Sequence, residues 1–296
     1  MLSSDNVFQI EEAFVRDLCP VRPEEGHKGT FGSVLLWAGS EKYSGAAHLC
    51  AMGALRSGVG LVHLLCPEQL LLFLSAAAPP LIGHALSSDK NASLLQEFYG
   101  KKKALVIGPG LPPEDEYLSE ALFPSLENAE NILLDAGALS FLAQNREKAK
   151  RAFSVRQANN LPKAILTPHP GEFSRLFPSA SLEKREENAK EFSRENDCIT
   201  ILKGKNTIVS APDGQVFINT TGNHGMAKGG SGDVLSGMIG SFLAQGLFPL
   251  AAACCGVYFH GLAGDMAAEK FGHRYMQPTD LPTFFPDAFR FCGWEE

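Results

Sequence analysis

A glycine-rich segment that runs directly into an apolar helix constrains the fold of this chain more than any other feature. The segment Gly229-Gly230-Ser231-Gly232-Asp233 has three glycines within four residues. Because glycine costs backbone entropy inside a helix, this segment is predicted to be a loop. Residues 234–245 carry apolar side chains at helical spacing, and Gly246 is a natural C-terminal stop. The free N–H groups and the positive dipole end of such a helix attract anions, and phosphate is the commonest of them.

Asp233 is the acidic residue of this segment, and two interpretations of it stay open. A carboxylate at the start of a helix can cap the loose N–H groups. Beside a bound phosphate, however, a carboxylate repels its neighbour and needs a chemical reason to be there. One such reason is general-base catalysis, in which the carboxylate takes the proton from a hydroxyl group that attacks a phosphoryl group.

Residues 219–237 read N-x-x-G-N-x-G-M-A-x-G-G-S-G-D-V-L-S-G. This stretch resembles the signature of the ADP/ATP-dependent NAD(P)H-hydrate dehydratases, which are repair enzymes with a ribokinase-like fold. Further motifs follow the order of that family, from about Gly26 to the end of the chain. The resemblance implies dehydration of (6S)-NADHX or NADPHX to NADH or NADPH, driven by ADP or ATP with Mg²⁺, and it implies that Asp233 is the base and contacts the substrate.

The order of elements predicts an α/β fold. Apolar runs at 34–37 and 61–66 flank a helical pattern at 44–58, which makes a βαβ unit and hence a parallel sheet. Repetition of this pattern predicts a mostly parallel central sheet with helices on both faces, a three-layer sandwich. Asp213-Gly214, between apolar runs at 207–210 and 215–218, predicts a late β-hairpin. The resemblance narrows this architecture to the ribokinase-like fold.

The chain's length and charge limit the domain count and the partners. With 296 residues, of which 45% are hydrophobic, the chain can bury a large core. We expect one domain at 26–296, preceded by an N-terminal extension at 1–25. A net charge of −7 argues against nucleic acid or a membrane surface as the main partner. Seven cysteines without a C-x-x-C pair, and an acidic start without a signal sequence, predict a cytoplasmic location.

Three residues are predicted to contact the hydrated substrate in addition to Asp233. Ala46 lies in a run of small residues at a helix start, where a ligand can approach closely. Gly110 ends a Gly-Pro-Gly turn at the carboxyl end of a strand, where open α/β sheets bind ligands. His169 lies in T-P-H-P-G-E at 167–172, where the family has a histidine that contacts the substrate.

Two segments are predicted to bind the adenine nucleotide. One follows a strand and reads K-G-x-x-T; its residues are Lys203, Gly204, Lys205, Asn206 and Thr207. Lysine offers a charge to phosphate and threonine a hydroxyl, although a solvated loop also suits Lys205. The other is the glycine-rich segment itself, with Gly229, Gly230, Ser231 and Gly232.

Asp135 and Glu172 are candidate Mg²⁺ ligands, each acting through water. Asp135 stands at the carboxyl end of a strand, facing the predicted phosphates. Glu172 begins a helix and is equally suited to complementing the helix dipole. The family continues D-A-D-A-L-N after this strand, whereas the chain has Gly137 and Ser140 in place of the second acid and the asparagine.

Three other functions share parts of this pattern. A ribokinase-like kinase for a vitamin-precursor alcohol would use the same glycine loop and Asp233 but leave a phosphorylated product. A non-catalytic nucleotide sensor would not need Asp233, and a structural partner of an epimerase would need no catalytic residue. The resemblance further implies pairing with an NAD(P)H-hydrate epimerase on a separate chain, and a homo-oligomer, expected to be a tetramer.

Overall fold

Ten strands form one sheet in the computed structural model, which describes residues 6–87, 91–179 and 183–294. The strands are β1 Val7–Gln9, β2 Ser33–Trp37, β3 Leu61–Cys66, β4 Ile82–Ala85, β5 Lys103–Ile107, β6 Ile132–Leu134, β7 Ile165–Leu166, β8 Ile199–Leu202, β9 Thr207–Ser210 and β10 Val216–Asn219. Their order across the sheet is β1-β10-β9-β8-β7-β6-β5-β2-β3-β4. Only β9 runs antiparallel to its neighbours among these strands, so the predicted parallel sheet and the β9–β10 hairpin are confirmed.

Twelve α-helices occur within the described ranges. They are α1 Glu12–Arg16, α2 Ser44–Leu55, α3 Glu68–Ala77, α4 Asn91–Glu97, α5 Glu116–Asn128, α6 Ala136–Gln144, α7 Arg146–Ala158, α8 Pro170–Leu176, α9 Arg185–Asn196, α10 Ser231–Gln245, α11 Pro249–Phe271 and α12 Leu281–Phe291. The helix after the glycine-rich segment therefore begins at Ser231, three residues earlier than the apolar pattern indicated.

Alternate residues of the strands face two separate helical layers, because successive side chains of a strand point to opposite faces. In β2, Val34 and Leu36 pack in the core with α1, α2, α3, α10, α11 and α12. Leu35 and Trp37 pack in the other core with α4 to α9. The predicted three-layer sandwich is confirmed. Among the described helices, none is long and apolar enough to cross a membrane.

Residues 6–25 of the predicted N-terminal extension contribute to this sheet and core. β1 pairs with β10 in parallel, and Ile10 and Val15 are buried in the core of the first helical layer. The indole Nε1 of Trp294 donates a hydrogen bond to the Val15 carbonyl oxygen at 2.8 Å. Residues 1–5 lie outside the described residues, and the domain boundary at residue 26 stays a prediction.

Helices α2 and α10 approach each other through glycines. A Cβ atom added at Gly237 of α10 would lie 1.9 Å from the Cys50 carbonyl oxygen of α2. A Cβ atom at Gly53 of α2 would lie 2.2 Å from the Val234 carbonyl oxygen. The glycines thus let the two backbones touch, and this contact positions the first turn of α10 beside α2.

We expect Gly237→Ala to lower the free energy of unfolding by about 1–3 kcal/mol, because the added methyl group would force the two backbones apart. Gly45→Ala is the matched control, since Gly45 lies in α2 with no neighbouring atom within 4 Å of an added Cβ. That control should be neutral or stabilising by up to about 1 kcal/mol, because alanine favours helix. Urea unfolding of both variants checks the difference, and equal midpoints would contradict the close approach.

Candidate active site

Polar side chains from four parts of the chain meet at the carboxyl edge of the sheet. Lys203, after β8, donates a hydrogen bond from Nζ to Asp135 Oδ1 at 2.8 Å. Ser236 of α10 donates from Oγ to Asp135 Oδ2, also at 2.8 Å. Glu172 Oε2 lies 4.0 Å from Lys203 Nζ. A Cβ atom at Gly232 would lie 3.2 Å from Lys203 Nζ, so the start of α10 faces this cluster.

The glycine-rich segment leads into α10, and its last three residues, Ser231 to Asp233, begin the helix. Gly230 precedes the helix with a φ of 105°, and a Cβ atom there would lie 2.4 Å from Leu49 Cδ1, so both conformation and space favour glycine. Gly229 has open space around it. The N–H groups of Gly232 and Asp233 have no acceptor among the described residues. This helix start can therefore donate to an anion.

Asp233 lies in the first turn of α10 and not at its cap position. The cap residue is Gly230, which has no side chain to accept a hydrogen bond. Asp233 is therefore not the N-cap residue of α10, although its charge complements the helix dipole from the first turn. Burial, and then the negative charge of Asp135, raise the pKa of Asp233 to about 7, although the positive charge of Lys203 opposes them. A carboxyl group with this pKa is suited to act as a base near neutral pH.

Lys203 stays protonated in this cluster. Burial by itself would lower its pKa, but the charges of Asp135 and Glu172 outweigh burial and raise the pKa above its ordinary value. Its ammonium group therefore remains a fixed positive charge beside the start of α10.

His260 is a residue of this region whose contact the sequence did not reveal. This α11 residue is buried, and its Nε2 atom donates a hydrogen bond to the Ser231 carbonyl oxygen at 2.9 Å. Burial lowers the pKa of His260 to about 4, so the ring is neutral at physiological pH. His260 and Ser231 are 29 residues apart in the sequence, and only the fold brings the histidine to the glycine-rich segment.

His169 and Glu172 form a reciprocal cap at the start of α8. His169 Nδ1 accepts hydrogen bonds from the N–H groups of Gly171 and Glu172, at 3.0 and 3.3 Å. Glu172 Oε2 accepts one from the His169 N–H at 2.9 Å. Because Nδ1 is an acceptor, the ring proton is on Nε2, which lies 3.4 Å from Glu172 Oε1, and the His169 side chain is about half-exposed. Glu172 thus both caps the helix and faces Lys203.

Gly110 and Ala46 are in direct contact. Gly110 has a φ of 68°, and a Cβ atom there would lie 2.6 Å from the Ala46 Cβ atom. Ser40 Oγ donates to the Gly110 carbonyl oxygen at 2.8 Å. The turn after β5 and the start of α2 therefore lie side by side, as two residues of one binding surface must.

The position where the family has its second acid has no space for a side chain here. A Cβ atom at Gly137 would lie 2.1 Å from the Leu111 carbonyl oxygen. The Gly137 N–H donates to the Gly108 carbonyl oxygen at 3.2 Å. Glycine thus holds α6 against the turn after β5, which accounts for the absence of an aspartate.

The predicted nucleotide loop is the connection between β8 and β9. Gly204 and Asn206 have positive φ angles of 148° and 54°. Thr207 Oγ1 donates to the Gly204 carbonyl oxygen at 2.9 Å, so its hydroxyl closes the loop. Lys205 and Asn206 are exposed, and the Lys205 carbonyl oxygen accepts from Arg185 at 2.9 Å. Among the described residues of this loop, only Lys203 contacts the carboxylates of Asp135 and Glu172.

The first half of the glycine-rich signature anchors the loop. Asp265 of α11 accepts hydrogen bonds from the Gly222 N–H at 2.8 Å and from Asn223 Nδ2 at 2.9 Å. Asn219 Nδ2 donates to the Val257 carbonyl oxygen at 3.0 Å. These bonds fix residues 219–225 to α11, so Asp265 acts structurally in this chain.

The sequence model of the NAD(P)H-hydrate dehydratases matches residues 34–286. The chain belongs to the NAD(P)H-hydrate dehydratase family. It is 36% identical over 283 residues to the ADP-dependent (S)-NAD(P)H-hydrate dehydratase of Bacillus subtilis, covering 94% of this chain and 96% of that protein. It is 39% identical over 291 residues to the bifunctional NAD(P)H-hydrate repair enzyme of Moorella thermoacetica, of which the match covers 53%. The chain thus spans about half the length of this bifunctional repair enzyme.

Solved structures confirm the fold. The ADP/ATP-dependent NAD(P)H-hydrate dehydratase of B. subtilis, co-crystallised with ATP and Mg²⁺, superposes with a TM-score of 0.81 at 32% identity, covering 98% of this chain and all of that one. A ribokinase-like superfamily protein from Enterococcus faecalis gives a TM-score of 0.83 at 24% identity, which is evidence for the fold alone. The predicted ribokinase-like fold of this NAD(P)H-hydrate dehydratase family member is therefore confirmed.

Proposed function

We propose that this chain is an ADP- or ATP-dependent (S)-NAD(P)H-hydrate dehydratase that converts (6S)-NADHX and NADPHX to NADH and NADPH. The family match and the near full-length likeness to the B. subtilis enzyme support this function. The observation that carries it is Asp233, a carboxyl group whose pKa is raised to about 7 at a helix start that can bind phosphate. A hydroxyl group that must be phosphorylated needs this kind of base beside the phosphoryl donor.

The reaction follows from this arrangement in two stages. Asp233 takes the proton of the C6 hydroxyl group as its oxygen attacks the terminal phosphorus, and the bond from that phosphorus to the leaving nucleotide breaks. The N–H groups at the start of α10 and the Lys203 ammonium group stabilise the charge on the transferred group. The ring nitrogen then expels phosphate from C6, and loss of a proton from the neighbouring carbon restores the dihydronicotinamide.

Magnesium is proposed as the cofactor, held through water by Asp135 and Glu172. Both Asp135 oxygens already accept a hydrogen bond, and Glu172 Oε2 accepts one from the His169 backbone. Each carboxylate keeps further lone pairs for a metal-bound water. Mg²⁺ commonly binds through one or two carboxylates, which these two side chains could provide, together with water and phosphate oxygens. When bound, the ion would neutralise phosphate charge.

We expect kcat/KM for NADHX to rise with pH through about 7 and then to level off, because Asp233 accepts a proton only when it is ionised. Its pKa is raised in the fold, so the active form is lost as the pH falls below this value. Asp135→Asn removes a negative charge that raises this pKa, and the acidic limb should move to lower pH. A pH–rate profile of both proteins checks this, and a flat profile across neutral pH would contradict the assignment.

Location, assembly and pairing extend the proposal. The seven cysteines form no disulfide in the described residues, which supports a reducing cytoplasmic compartment. Leu72 and Phe73 of α3 are 85% and 63% exposed near the edge strand β4, which supports a homo-oligomer, proposed as a tetramer. The existence of bifunctional relatives supports functional pairing with an NAD(P)H-hydrate epimerase, proposed to be a separate chain.

The decisive experiment mixes the protein with NADH hydrate, Mg²⁺ and either ADP or ATP, and follows the return of dihydronicotinamide absorbance. Recovery with one nucleotide, together with free phosphate in equal amount, would identify both the reaction and the donor. Absence of recovery with both nucleotides, while nucleotide still binds, would favour the kinase for a vitamin-precursor alcohol.

A further inference from the structure

An open cavity of about 450 Å³ is lined mainly by residues of α6 and by the ends of α7 and α8 that lie next to it. Its lining residues are Pro113, Ser140, Ala143, Gln144, Arg146 and Arg175. No acidic residue lines it, although the chain carries a net charge of −7. The catalytic proposal makes no use of this cavity.

Three chain segments lead from the candidate site to this cavity. The first runs from Gly110 to Pro113. The second is α6, which begins after Asp135 and reaches Ser140 five residues later, about 8 Å along the helix axis. The third is α8, whose cap residue is His169 and whose last turn carries Arg175. These three segments link the cavity along the chain to Gly110, Asp135 and His169.

The two arginines are arranged to receive an anion. Arg146 begins α7, and its Nη2 atom donates to the Arg175 carbonyl oxygen at 2.8 Å, which holds its guanidinium at the cavity. The Arg175 guanidinium has no protein partner within the described ranges. Ser140 adds a hydroxyl group at half-buried depth. Glu147, in the first turn of α7, does not line the cavity.

We propose that Arg146 and Arg175 bind a phosphate group of the dinucleotide substrate. This inference rests on the proposed function, because the hydrated ring that reacts at Asp233 carries the rest of a dinucleotide with it. That remainder has a pyrophosphate and, in NADPHX, an additional 2′-phosphate. Guanidinium groups bind phosphate through paired, charge-assisted hydrogen bonds. The pair thus supplies two positive charges at the cavity.

The test measures kcat and KM for NADHX and NADPHX in Arg175→Gln and Arg146→Gln. Loss of a charge-assisted hydrogen bond should raise KM roughly tenfold with kcat nearly unchanged, because the arginines lie away from the reacting atoms. A rise for NADPHX alone would identify the 2′-phosphate as the ligand, and an equal rise for both substrates would identify the pyrophosphate. Arg151→Gln is the matched control, since this exposed α7 residue does not line the cavity.

Two results would overturn the inference. One is an unchanged KM for both substrates in both variants. The other is a fall in kcat alone with equal loss of thermal stability, which would mean that Arg146 only ties the end of α8. Wild-type turnover of NADHX is measured first, so failure of the dehydratase function itself is seen before any variant is compared.

Discussion

Replacing Asp233 with asparagine should reduce turnover of NADHX by roughly 10²–10⁴-fold, the usual cost of losing a general base. Asparagine keeps the size of the side chain but cannot accept the hydroxyl proton. The helix start and Lys203, which we propose to hold the phosphates, are unchanged, so ADP should still bind. Steady-state turnover and calorimetric titration with ADP separate the two effects.

The control for this substitution is Asp213→Asn, in the turn between β9 and β10, which should leave turnover unchanged. Residual activity of the Asp233 variant above about a tenth of wild type would contradict the base assignment, because that loss is too small for general-base removal. Loss of ADP binding would instead indicate that Asp233 positions the loop. Raising the pH should not restore turnover of the Asp233→Asn variant, because the asparagine amide does not ionise.

Most strands could be predicted because they are buried on both faces and therefore apolar throughout. Helices α5, α6 and α7 are difficult to predict from the sequence, each for a local reason. α5 contains Pro124, which usually ends a helix. α6 starts at Ala136, directly after Asp135, so no loop separates the helix from strand β6. The φ of 46° at Ala136 is rare for alanine, so the residue type does not indicate this sharp turn. α7 is rich in arginine and lysine and has only a weak apolar stripe.

The candidate site could be predicted residue by residue but not as a set of contacts. The glycine loop, Asp233 and Lys203 stand out because their residue types fit phosphate chemistry. The Lys203–Asp135 and Ser236–Asp135 bonds join residues 68 and 101 positions apart, and sequence spacing says nothing about such pairs. The His260 bond to Ser231 depends on how α11 packs against α10. Only the tertiary fold decides these partners.

Lys203→Met should lower the free energy of unfolding by about 3–5 kcal/mol, the cost of leaving one member of a buried ion pair unpaired. Asp135 is almost fully buried and would lose its 2.8 Å partner, with the carboxylates of Glu172 and Asp233 left uncompensated nearby. The same change removes a positive charge that lowers the Asp233 pKa, so that pKa should rise further. Urea unfolding at neutral pH and the pH–rate profile measure both effects.

The double variant Lys203→Met/Asp135→Asn distinguishes the stabilising role of the lysine from its proposed role in phosphate binding. Removing both charges takes away the unpaired buried carboxylate, and we expect most of the lost stability to return, because neutralising both partners costs far less than removing one. Turnover should remain low, since the proposed phosphate contact of Lys203 and the proposed Mg²⁺ ligand Asp135 are both missing. If the double variant regained activity along with stability, Lys203 would contribute to folding only. The start of α10 would then have to stabilise the charge on the transferred phosphoryl group.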